Sequence, residues 1–169
     1  ADPITDLSED TKNARLCNAR FAFLRNKVLE DHPWYFATKT VELASIVGSP
    51  IMDWTHKYQL PADFIKMIRA EDWKQDFEIL DGYLHANDEP IKIKYIFENV
   101  NEGQWSYSFA ECLSWRIAAD LAYNITKSLT VAETMMKGYD MDLKAARYND
   151  AHKKSPEGPV VDSYIDVRN

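Results

Sequence analysis

The sequence predicts an α+β fold, mainly an α-helical bundle with an antiparallel β-meander inserted between the first and second long helices, plus an extended C-terminal arm. Three observations carry this. An amphipathic stretch runs up to His32-Pro33, short alternating segments bounded by turn residues fill positions 36–98, and two apolar stripes at helical spacing follow Ser108. The expected helices cover about 9–30, 109–128 and 131–151, with the β insertion over about 36–98. Residues 1–152 then form one domain and 153–169 a docking arm.

The first helix opens on Asp6, with Glu9 three positions on as its capping partner, and Ala14, Cys17, Phe21, Leu24 and Val28 recur at steps of three and four. About 22 residues at 1.5 Å each make it roughly 33 Å long. Arg15, Arg20, Arg25 and Lys27 fall on a solvated face, with a basic docking strip as the alternative. Pro33 lacks the amide a helix would use and disfavours helical backbone before it, so the helix stops near Asp31. Trp34 and Phe36, two apart, share one face if a strand follows, and plug the core at this helix-to-sheet junction.

Thr38, Thr40 and Val41 favour a pleated strand over Phe36–Leu43, which Gly48-Ser49-Pro50 ends. Trp54, Thr55, Tyr58 and Leu60 suggest a second strand, and Leu60-Pro61-Ala62-Asp63 a turn before Phe64–Ile68. Phe77–Leu80 and Tyr83–Ala86 flank Asp81-Gly82, the two-residue connection that a type I′ hairpin requires. After the turn Asn87-Asp88-Glu89-Pro90, residues Ile91, Ile93, Tyr95 and Phe97 alternate with Lys92, Lys94 and Glu98, which predicts a strand with one buried face. Strands met in this order suggest a meander.

Ser108 with Glu111 then makes a capping box, and Leu113, Ile117, Leu121, Ile125 and Leu129 recur every four residues, widened by Ala118 and Ala122. Thr130 with Glu133 makes another, followed by Met136, Tyr139, Leu143 and Ala146. Beyond His152, Ser155-Pro156-Glu157-Gly158-Pro159 reads as a linker, and Val160–Val167 has too few apolar residues for a core of its own.

Composition fits a globular domain: 169 residues, 46% hydrophobic and 28% charged. No apolar run suits a membrane span and Ala1–Asp10 shows no signal-peptide pattern, so the expected site of synthesis is the cytosol. Cys17 and Cys112 sit in helical apolar patterns, as buried free thiols do. The net charge of −7 is concentrated: residues 53–111 carry twelve Asp/Glu against six Lys/Arg, giving −6. That sign opposes tight nonspecific adhesion to nucleic acid.

The four histidines show no H-E-x-x-H spacing, neither cysteine has a partner at metal-ligand spacing, and the five glycines form no phosphate-binding loop, so no metal or cofactor is expected. Carboxylates are the one catalytic group in good supply, as Glu71, Asp72, Asp76, Glu78, Asp88 and Glu89. A small carboxylate-dependent peptidoglycan hydrolase, with two acids facing across a cleft, is therefore one alternative. A generic cytosolic interaction domain is another.

The order of motifs adds a resemblance. The helix ending in His32-Pro33-Trp34-Tyr35-Phe36-Ala37, the Trp54–Tyr58 segment running into Leu60-Pro61-Ala62-Asp63-Phe64, and Tyr95-Ile96 together resemble the tail tubular protein A family. The likeness runs from about Ile4 to Asp150, and Ser163-Tyr164-Ile165 with Arg168 is similar to the ending of such proteins. These are head-to-tail connector adaptors of short-tailed bacteriophages. The resemblance implies a virion structural protein and no catalytic residues: a ring, usually dodecameric, below the portal protein, extending the DNA channel and carrying the tail nozzle. Its partners would be the portal, the nozzle protein, further copies of itself and double-stranded DNA passing without specific binding. On this expectation Tyr164, Ile165, Val167 and Arg168 dock on a neighbour or the portal, and Glu71, Asp72, Asp88 and Glu89 face the channel or the tail.

Overall fold

The computed structural model describes residues 4–48, 53–70 and 76–151. Helix α1 (Lys12–Asp31) comes first, then a 3₁₀ turn (Tyr35–Ala37) and strands β1 (Thr38–Leu43), β2 (His56–Gln59), β3 (Phe64–Ala70), β4 (Phe77–Leu80), β5 (Tyr83–Ala86) and β6 (Ile91–Phe97). Helices α2 (Tyr107–Thr126) and α3 (Leu129–Ala151) follow.

This architecture corrects the expected helical bundle with a meander between its first two helices. The strands form two three-stranded antiparallel sheets, ordered β1-β6-β3 and β2-β5-β4. Among the described residues only β4 and β5 are neighbours in both chain and sheet, joined by a turn in which Asp81 (φ 50) and Gly82 (φ 77) take the left-handed conformations of a type I′ connection. The physical reason lies in β6. Ile91, Ile93 and Tyr95 pack into the core shared with the second sheet, while Ile96 packs into the core shared with the helices. A strand buried on both faces is best placed in the centre of a sheet, and alternation read along one strand does not reveal its partners.

Strand β3 meets the same demand differently. Its sequence repeats as Phe64-Ile65-Lys66 and Met67-Ile68-Arg69, and two register irregularities against β6 fall within those triplets. Each irregularity adds one residue to the alternation, so that positions three apart come to face the same layer. Phe64 and Met67 pack toward the second sheet, Ile65 and Ile68 toward the helices, and Lys66 and Arg69 are exposed.

The helix ends differ from the sequence expectation because Ser/Thr followed by Glu is a common local pattern. Thr11, not Asp6, caps α1 by accepting from the Ala14 amide at 3.2 Å. Asp6 and Glu9 instead close a separate turn, with the Thr5 and Asp6 amides donating to Glu9 at 2.8 and 3.1 Å. Ser106 caps α2 and Ser128 donates no box of its own but accepts from the Val131 amide at 3.4 Å, each two residues ahead of the expected positions. Of the arginines expected on a solvated face of α1, Arg15 is exposed, whereas Arg20 grips Asp120 of α2 with two hydrogen bonds at 2.9 and 3.0 Å and buried Arg25 pairs with Glu98.

After Pro33 the chain makes the 3₁₀ turn instead of entering a strand directly, so Trp34 and Phe36 do not share a strand face. They meet around a third ring. Trp34 is 1% exposed, donates from Nε1 to the Val28 carbonyl at 2.9 Å, and sets its ring edgewise to Phe109 of α2 at 5.2 Å. Phe36 approaches Phe109 at the same centroid distance. Such edge-to-face pairs add roughly 0.5–1.5 kcal/mol each beyond burial.

Candidate functional site

The α2–α3 hairpin is built around small residues. Ala110, Ser114, Ala118 and Ala122 recur every four positions on α2, and Gly138 lies mid-way along α3. The Trp115 ring lies against Gly138 so closely that an added Cβ would be 2.8 Å from its Cε3 atom. The glycine thus lets an indole wedge between two helices.

Because the side chains beside that wedge are short, a groove of about 450 Å³ is left open on one side of the hairpin, lined by Ala110, Glu111, Ser114, Trp115, Ala118 and Met135. Glu111 also lines a smaller hollow of about 170 Å³ that reaches Asp142 and Ala145. One end is therefore acidic and the other apolar. Neither Glu111 nor Asp142 makes an ion pair among the described residues. Beneath them Cys112 is fully buried, and burial, followed by the charges of Asp142 and Glu111, pushes its thiol up to about 11.

Asp120, which holds Arg20 of α1, is two residues beyond Ala118 and so roughly 200° further round α2. Helix α1 accordingly packs on the side of the hairpin away from the groove. There Arg116 donates to Met136 Sδ at 2.9 Å, and a second hollow of about 340 Å³ separates Ala119 and Asp120 from Ala132 and Glu133.

Of the acidic residues singled out in the sequence, Glu71 and Asp72 lie outside the described residues, as do Tyr164, Ile165, Val167 and Arg168 of the arm. Asp88 and Glu89 share the exposed turn between β5 and β6. Glu89 accepts from Ser45 Oγ and lies 3.3 Å from His56 Nδ1, so it ties that turn to neighbouring strands; the Tyr58 hydroxyl donates to the Asp88 carbonyl. The Asp88 carboxylate itself faces solvent. Trp34 and Phe36 belong to the core between helices and sheet.

A second polar knot holds the turn before β3. Asp63 accepts from Lys39 Nζ at 2.7 Å and from the Tyr95 hydroxyl at 3.0 Å. Burial opposes its ionisation, yet these two hydrogen bonds and the Lys39 charge hold the carboxyl below its ordinary range. Burial and the same Asp63 contact push Tyr95 up to about 12. On β5, His85 is fully buried between Lys57 of β2 and Glu78 of β4, and neither ring nitrogen has a hydrogen-bond partner among the described residues.

Among the described residues, no group of three or more His, Cys, Asp or Glu is placed to hold a metal, and no helix is long and apolar enough to cross a membrane. The groove is not among the sites that the sequence marks out. Its one sequence signal is the four-residue spacing of small side chains on α2, which alone reads as helix packing. No protein-family model matches this chain, and a search of curated proteins finds no match.

Proposed function

We propose that this chain is a virion structural protein, a head-to-tail adaptor whose copies form a ring below a phage portal, extend the DNA channel and carry the tail nozzle. The observation that carries the reading is the two-sidedness of the α2–α3 hairpin: one side is filled by α1, the other is an open groove with Glu111 and Asp142 at one end, neither ion-paired among the described residues. A subunit with two unlike faces joins head to tail, and such contacts close into rings or extend into filaments. The order of the His32-Pro33-Trp34, Leu60-Pro61-Ala62-Asp63 and Tyr95-Ile96 motifs supports placing that ring at a connector.

In this reading the solvent-facing Asp88 carboxylate lines the channel or the tail side, where negative charge keeps DNA from adhering. The arm from 153 onward provides the docking contact to the portal. The deciding experiment is electron microscopy of the protein mixed with portal rings from short-tailed phages. A stacked second ring supports the reading, and a protein that never joins any portal refutes it.

A further inference from the structure

We infer that the α2–α3 groove receives the exposed face of α1 from a second copy of the chain. The inference rests on the ring reading and supplies its subunit contact. On α1, Lys12, Arg15, Ala19, Ala22 and Phe23 are all exposed and fall on one side of the helix. Lys12 and Arg15 put two cations at one end of this face; among the described residues Arg15 pairs with the highly exposed Asp10, at 2.7 Å. At the other end Phe23 is 57% exposed, flanked by the small Ala19 and Ala22, with the Arg20 guanidinium 4.7 Å from its ring centroid.

The groove carries the complementary order. Glu111 and Asp142 stand at one end, Ala118 and Met135 at the other, with Ala110 and Ser114 leaving room along its length. Lys12 to Phe23 spans roughly 17 Å of helix, and Ser108 to Ala118 roughly 15 Å, so basic end meets acidic end while Phe23 reaches the apolar end. The docked α1 then runs parallel to α2 of its neighbour. Since α1 lies on the opposite side of the hairpin from the groove, no chain can fill its own groove this way, and every copy offers both halves of the contact.

The test is a charge exchange on the full-length protein, followed by sedimentation at low salt. Wild type should self-associate with concentration. K12E/R15E and E111K/D142K should each weaken association at least tenfold, and the quadruple variant, which restores both the net charge and the pairing, should recover it. Reversing Lys137 and Lys144, which lie on the outer side of α3, should leave association unchanged, and circular dichroism checks that every variant is folded. A quadruple variant that stays dissociated, or a wild type still monomeric at about 1 mM, overturns the pairing. If a ring nonetheless forms on the portal, the adaptor reading survives with a different contact.

Discussion

Replacing Gly138 with alanine tests the hairpin directly, because two effects of opposite sign compete there. Alanine in place of glycine inside a helix stabilises by about 0.8–1.0 kcal/mol. The new methyl group, however, would lie 2.8, 2.9 and 3.0 Å from Cε3, Cζ3 and Cδ2 of Trp115. Carbon atoms settle at about 3.5 Å or more, so the indole or the helix must retreat by roughly 0.7 Å. Overpacking of this kind costs about 1–3 kcal/mol. The net expectation for G138A is a loss of about 1 kcal/mol, or a fall of roughly 3 °C in Tm for a chain of this size. Urea and thermal unfolding read both quantities. In a Trp115→Leu background the obstruction is gone, and the same change should stabilise by about 1 kcal/mol. Equal stabilisation in both backgrounds would refute the close approach of ring and glycine.

The knot at Asp63 gives the protein an acid limb. Its folded carboxyl ionises below the ordinary value of 3.8, so the stability it confers is complete above that value and is lost as pH falls through the lower folded one. D63N should therefore be less stable than wild type by about 1 kcal/mol near neutrality, a figure kept small by partial exposure. The gap should narrow in urea titrations below 3.8; a constant gap would contradict the assignment. Cys112, buried with its thiol raised to about 11, should resist iodoacetamide in the native protein at mildly alkaline pH and react once urea is added. Immediate native labelling at that position, located by peptide mass, would count against its burial.

Local chemistry was the legible part of this sequence. Asp81-Gly82 specifies its own backbone, and the hairpin it joins needs nothing distant to define it. The end of α1 ahead of Pro33 is similarly local. The caps lie two to five residues from where the local pattern puts them, because Asp6, Ser108 and Thr130 each have a Glu three places on while Thr11, Ser106 and Ser128 hold the amides. Strand partnership was hidden for a different reason. Lys94 of β6 faces Thr40 of β1 on one edge and Arg69 of β3 on the other, pairings set by which apolar faces must be covered and not by anything near Lys94 in sequence. The groove was least legible, since it is made by what Ala110, Ser114, Ala118 and Gly138 lack, and only the meeting of two helices turns missing atoms into space.

Strand β6 ties together layers that would otherwise be separable. Ile96 on one side and Ile91, Ile93 and Tyr95 on the other commit a single backbone to two hydrophobic interiors. Neither interior can come apart without exposing residues that the other needs, so helices and sheets should melt in one cooperative step. The amides of β6 should then be the last to exchange with deuterated solvent, opening only when the whole molecule does.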